Sequence, residues 1–243
     1  MEYSKMAVKK VQFNSQIFEI NYEILNPKNK KDLIILHGWG SNKEIMKQAF
    51  SKTLPQFRHI YIDMPGFGKS SNEYILNSEA YADVIEKFLK EINATKDIIM
   101  GHSFGGKIAT LLNPKLLVLL SNSGVLIPKP LSIRLKIGLY KIFKNIGGNG
   151  LSKFFASKDV EGMSQSMYET FKIVVNEDFS DIFSSHSGKT LIFWGKDDTA
   201  TPLWSGEKVA SLIRNSTFYP LEGDHFFFLK NSIFIEKVIN GEF

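Results

Sequence analysis

Ser103 sits in Gly101-His102-Ser103-Phe104-Gly105, with Gly106 next, directly after the apolar run Ile98–Met100 and ahead of a helical stretch from Lys107. A serine hydroxyl is a weak nucleophile unless an adjacent base takes its proton. A tight strand–turn–helix with glycine two residues either side lifts the serine clear of its neighbours, because side chains at those places would collide. The oxygen then projects above the sheet, close to the positive end of the following helix. The five-residue pattern is short, and its place between a strand and a helix is what makes Ser103 a candidate nucleophile.

The base must come from five histidines, His37, His59, His102, His186 and His225. His102 lies inside the turn, where its side chain is expected to point away from that of Ser103. His37 ends a strand before glycine, His59 begins a strand, and His186 lies in a returning segment. His225 follows Gly223-Asp224 after the last strand, Thr217–Leu221. It alone occupies a loop at the carboxyl end of a late strand, where open α/β sheets bind ligands. An acid between serine and histidine would orient the imidazole and stabilise its charged form. Strand Leu191–Trp194 runs into Gly195-Lys196-Asp197-Asp198-Thr199-Ala200-Thr201-Pro202. Successive residues of an extended segment point oppositely, so Asp198 and Asp197 compete; Asp198 is the choice and Asp197 the alternate.

Short continuous apolar runs must carry these loops. Leu33–Leu36, Ile60–Ile62, Ile98–Met100, Leu116–Leu120 and Leu191–Trp194 have the pattern of parallel strands covered on both faces. Between them Tyr81, Val84, Ile85, Phe88, Leu89 and Ile92 form one helical stripe, and Ile45, Met46, Ala49 and Phe50 another. Ahead of them Phe18, Ile20, Tyr22 and Ile24 alternate with Glu19, Asn21 and Glu23, which predicts a strand with one wet face. It pairs with Val11–Phe13 across the Asn14-Ser15 turn. The fold class is therefore α/β: a mostly parallel, doubly wound sheet with an N-terminal antiparallel hairpin and right-handed crossovers.

One connection is too long. About sixty residues separate the strand ending near Ser121 from the one starting near Thr190, beyond the usual crossover. Leu131–Ile146 and Met163–Val175 have amphipathic helical patterns, broken by Gly147-Gly148-Asn149-Gly150. Residues 128–187 are expected to form a helical lid inserted between strands 6 and 7, on a core of residues 1–127 and 188–243.

Composition narrows the chemistry. Hydrophobic residues make up 43% and charged residues 23% of 243 positions, a globular balance. The absence of cysteine excludes disulfides, thiolate catalysis and Cys-ligated metals, and fits a cytoplasmic protein. Met1 to Lys10 lacks the apolar core of a signal peptide. No acid cluster has metal-ligand spacing, so neither metal nor cofactor is expected. From Pro128 to Lys158 there are seven cations, including Lys129, Arg134, Lys136, Lys141 and Lys144, and no acid, so the rest of this +5 chain carries net −2. A basic face of that kind is either a solvated lid surface or a dock for an anionic partner, an acidic acyl carrier protein or an acidic surface. No nucleic acid is expected, since no recognition module is present.

Taken in order, His37-Gly38-Trp39-Gly40, the stretch Asp63-Met64-Pro65-Gly66-Phe67-Gly68-Lys69-Ser70, the serine turn and the segment Gly195 to Pro202 resemble the α/β-hydrolase fold superfamily over nearly the whole chain. The resemblance places the acid at Asp198 and the oxyanion donors at the backbone N–H groups of Trp39 and Phe104. It implies a serine hydrolase acting on a carboxylic ester or related acyl bond. Among such enzymes the motifs are similar to those of pimeloyl-carrier-protein methyl ester esterases, although His102 stands where tryptophan is common. Carbon–carbon-bond hydrolases and cofactor-free haloperoxidases share the same three residues, and a non-catalytic binding protein on this scaffold is the alternative of another class. An apolar acyl pocket is expected from Trp39, Phe104 and Phe226, with Phe143, Phe154 and Phe171 from the lid. Asp63 is expected to bond local backbone rather than to act in chemistry.

Overall fold

The computed structural model describes residues 5–126 and 163–242. Eight strands form one sheet: β1 (Lys5–Phe13), β2 (Gln16–Leu25), β3 (Asp32–Leu36), β4 (Arg58–Ile62), β5 (Ile98–His102), β6 (Leu116–Leu120), β7 (Lys189–Gly195) and β8 (Ser216–Leu221). Their order is β1-β2-β4-β3-β5-β6-β7-β8. β1 with β2 and β2 with β4 are antiparallel, and every later pairing is parallel.

Helices cover both faces. α1 (Lys43–Phe50) follows β3, α2 (Ser78–Glu91) follows β4, and α3 (Phe104–Leu111) follows β5. After β6 come α4 (Gln165–Val174) and α5 (Ser180–Ser185), then α6 (Leu203–Leu212) between β7 and β8, and α7 (Phe228–Asn240) last. Side-chain alternation along the strands feeds two cores. Ile34, Leu36, Ile99 and Leu119 pack under α2 and α3, while Leu33, Ile35, Met100 and Val118 pack under α1 and α7. Each such side chain contributes about 1.5–3 kcal/mol of burial, which is why the parallel strands are written as unbroken apolar runs. α2 buries Tyr81, Val84, Ile85, Phe88 and Leu89, the stripe its periodicity predicts, and starts at Asn77, whose side chain accepts from Ala80 N–H at 2.8 Å.

The hairpin differs from expectation in two respects. The face of β2 expected to be wet is solvated at Glu19 but closed at Asn21 and Glu23. β2 pairs with β4 over this stretch, and Lys47 of α1 reaches Glu23 at 2.5 Å, so an ion pair replaces water there. β1 also begins earlier than the apolar pattern shows, at Lys5, pairing with β2 through to Phe13↔Gln16.

Of the segment expected to form the lid, residues 128–162 lie outside the described residues. So do Phe143, Phe154 and the cations Lys129, Arg134, Lys136, Lys141 and Lys144. The described remainder packs onto the core beside α3: Met167, Val174, Phe179 and Phe183 are buried there. Buried Lys107 of α3 fastens it, donating to the Val174 carbonyl at 2.7 Å and to Glu177 at 2.6 Å, with its ammonium 4.3 Å from the Phe179 ring centre.

Candidate active site

The chain leaves β3 to one side for β4 and returns on the other for β5, so the loops after β3 and β5 meet at the switch point of the sheet. Ser103 occupies the turn between β5 and α3 with φ 50° and ψ −115°, a left-handed conformation that costs a residue with a side chain about 1–3 kcal/mol. The surroundings over-determine it. Ser103 N–H donates to Leu120 O at 3.0 Å, and its carbonyl accepts from Gly106 and Ser123 N–H at 3.0 and 3.1 Å. A Cβ on Gly101 would be driven into the carbonyl of Gly105, and one on Gly105 would lie 2.5 Å from His37 O. Both glycines are thus set by close approach of backbone to backbone, across the turn and across the switch point.

The loop after β3 is held by a buried histidine. His37 Nδ1 donates to Gly38 O at 2.7 Å, and its Nε2 accepts from Met64 N–H at 3.1 Å, which requires the neutral ring. Burial is the main influence on its pKa and outweighs the Gly38 bond, bringing it down to about 4. Next along, a Cβ on Gly38 would lie 3.1 Å from Ser103 Cβ, so this loop abuts the serine directly. Trp39 follows, its ring 5.4 Å from Phe104, 4.8 Å from Phe67 and 5.4 Å from Phe171. Asp63 accepts from the backbone N–H of Lys43 and Lys69 and also pairs with the buried Lys43 ammonium at 2.7 Å. That ion pair, invisible in the local sequence, ties α1 to the turn after β4.

The loops after β7 and β8 bring Asp198 to His225. His225 Nδ1 donates to Asp198 Oδ2 at 2.7 Å, while Asp197 is exposed and contributes only its backbone, donating to Gly223 O at 3.0 Å. Asp198 is saturated with donors. Oδ1 accepts from Ala200 and Thr201 N–H, both at 2.8 Å, and Oδ2 also accepts from Thr201 Oγ1 at 2.8 Å. Burial alone would raise the carboxyl pKa, but the His225 and Thr201 bonds outweigh it and hold the group below its usual range. It is therefore a carboxylate at neutral pH, fit to orient an imidazole and to stabilise its protonated form.

Two residues of the site were not singled out from sequence. Thr201 is one; its hydroxyl also lies 3.2 Å from Ser121 O and 3.3 Å from His225 Nδ1. The other is His102, whose Nε2 donates to the main-chain carbonyl of His225 at 3.0 Å and whose ring centre is 4.6 Å from that of His225. Its side chain reaches the histidine loop rather than lying in inert packing. Phe226 is 38% exposed and lies 5.5 Å from the His225 ring, while Phe171 stands beside Trp39. Among the described residues no group of three or more His, Cys, Asp or Glu is placed to hold a metal ion, and no helix is long and apolar enough to cross a membrane.

Residues 32–115 match the family model of the alpha/beta hydrolase fold. A pimeloyl-[acyl-carrier protein] methyl ester esterase of Photorhabdus laumondii is 35% identical over 80 residues, 33% of this chain and 29% of the relative. The corresponding enzyme of Vibrio campbellii is 34% identical over 79 residues, 32% of this chain and 30% of its own. The alignment thus spans less than a third of these relatives' length. Among solved structures, an esterase of Exiguobacterium antarcticum superposes with a TM-score of 0.74 at 21% identity, covering 96% of this chain and 98% of that one.

Proposed function

We propose that this chain, which has the α/β-hydrolase fold, is a serine hydrolase that cleaves a carboxylic ester or related acyl bond through an acyl-enzyme. The observation that carries this reading is the 2.7 Å bond between His225 Nδ1 and Asp198 Oδ2. With Nδ1 engaged, Nε2 is the ring nitrogen left to act on the hydroxyl of Ser103. It takes the serine proton as the oxygen attacks the carbonyl carbon, then delivers that proton to the departing alcohol oxygen. Water, deprotonated by the same nitrogen, then cleaves the acyl-enzyme and releases the acid. Asp198 stays ionised throughout and balances the imidazolium. The backbone N–H groups of Trp39 and Phe104 serve as oxyanion donors, each worth about 3–4 kcal/mol if it behaves like known donors of this kind.

The substrate class is an ester with an apolar acyl chain. The aromatic groups Trp39, Phe104, Phe171 and Phe226, set around the serine and histidine loops, support this. Phe171, in the described part of the segment expected to form the lid, stands beside Trp39, while Phe143 and Phe154 lie outside the described residues. The likeness to esterases whose names specify a carrier-protein-bound methyl ester supports delivery of the acyl chain on an acidic carrier protein, docked on Lys129, Arg134, Lys136, Lys141 and Lys144.

Hydrolysis of p-nitrophenyl esters of rising chain length, compared with a carrier-protein methyl ester at low and high salt, tests both levels. Turnover is expected with free esters and vanishes in Ser103→Ala. A salt-sensitive preference for the carrier-bound substrate is expected from the basic segment. Undiminished turnover by Ser103→Ala defeats the serine mechanism, and equal rates at all ionic strengths defeat carrier docking alone.

A further inference from the structure

We infer that His102, the residue before the nucleophile, is a positioning residue that sets the separation of Ser103 from His225 by holding the main-chain carbonyl of His225. The inference rests on the serine-hydrolase reading for its consequence in catalysis, but its geometry stands independently. β5, which ends at His102, is separated from β8 by β6 and β7, so the loop carrying His225 must reach back across two strands to approach the serine. Asp198 grips the His225 ring, fixing its direction, yet Asp198 belongs to the loop after β7 and says nothing of distance to β5. Among the described residues, the 3.0 Å bond from His102 Nε2 to His225 O is the hydrogen bond that joins the nucleophile's own strand to the histidine loop.

The proton inventory supports a fixed role. A carbonyl only accepts, so the proton of His102 is on Nε2. Nδ1 then holds a lone pair, and it faces Gly38, where a Cβ would come within 2.9 Å. Among the described residues that atom is buried and has no hydrogen-bond partner, so a second proton there would be unsatisfied. Burial above all, then the neighbouring His225, hold the His102 pKa well below its ordinary value. The ring thus stays neutral beside His225 and leaves the positive charge of the catalytic cycle to its neighbour. The Phe226 and Phe228 rings pack against it, with centroids 5.3 and 4.8 Å away.

His102→Phe keeps an aromatic ring and removes the donor; His102→Gln restores an amide N–H near the place of Nε2. With a p-nitrophenyl ester, kcat of the Phe variant is expected to fall about 10- to 100-fold with KM within about twofold, and the Gln variant to recover most of the loss. In proton NMR, the low-field Nδ1 proton of His225 shared with Asp198 is expected in the wild type and the Gln variant and broadened away in the Phe variant. Wild-type kcat in His102→Phe, with that resonance unchanged, overturns the inference. If His102→Phe does not fold, His102→Asn takes its place, since its amide is too short to reach the carbonyl and the same losses are expected. If the wild type neither turns over esters nor reacts at Ser103, the hydrolase reading fails by itself, and the NMR comparison still decides whether His102 positions His225.

Discussion

Around Ser103 the site is made by close backbone packing, and around His225 it is made by hydrogen bonds to side chains and main chain. The serine turn depends on Gly101 and Gly105 lacking a Cβ, on a strained φ of 50° and on the loop after β3 pressing against it. The acid–histidine pair depends on five hydrogen bonds to Asp198 and His225, from Ala200, Thr201, His102 and between the pair itself. Steric construction fails all at once when a methyl group is added. Polar construction can lose chemistry while the fold stands. The two sides should therefore respond differently to substitution, one in stability and the other in rate.

The largest separation of the two is expected from Asp198→Asn. The shape is kept but the imidazole loses its anionic partner, and kcat should fall about 10⁴-fold with little change in melting temperature; stopped-flow hydrolysis with a thermal melt on the same sample measures both. A fall in melting temperature matching the loss in rate would erase the contrast. Gly105→Ala should do the reverse. Its methyl would sit 2.5 Å from His37 O, and a destabilisation of about 4 kcal/mol by urea unfolding is expected, with activity lost only as the fold is lost.

A pH experiment sharpens the serine side further. His37 is buried and titrates near 4 when folded, against an ordinary 6.5 when unfolded. Its folded value is depressed, so the unfolded chain binds the proton first as pH falls. Stability is full above pH 6.5 and declines toward pH 4, by about 3 kcal/mol from this group. His37→Gln should lessen the loss over that interval by its share in unfolding titrations from pH 7 to 4, the rest coming from His59, His102 and His186, which burial depresses in the same direction; an unchanged slope would show that His37 contributes nothing to it. The smallest effect is expected at Asp197→Asn, where the side chain is exposed: kcat within about twofold of wild type. A loss as large as that of Asp198→Asn would transfer the acid role to the neighbour.

The same contrast explains what could be read from the chain alone. The strands and the serine turn are written locally, as unbroken apolar runs and as glycines at fixed spacing, so β5, the turn and α3 follow from adjacent residues. The alternation in β2 misled at Asn21 and Glu23, both buried, since the Lys47 of α1 that pairs with Glu23 is 24 positions away and not local. His102 and Thr201 were missed for the same reason. His102 reaches a carbonyl 123 positions away, and Thr201 matters through Ser121 and His225 as well as its near neighbour Asp198. Nothing in the one-dimensional spacing marks a histidine as a tether rather than a filler. The Lys43–Asp63 and Lys107–Glu177 pairs are equally silent in sequence, since each lysine looks like any solvated cation until its helix is docked.

The central claim is that Ser103 is the nucleophile and His225 its base. Native protein treated with a fluorophosphonate, weighed intact by mass spectrometry and then digested for peptide mapping, tests it most directly. The account predicts one adduct, on the peptide containing Ser103, absent in Ser103→Ala and formed far more slowly in His225→Ala. An adduct at another residue, or equal labelling of Ser103→Ala, would contradict it.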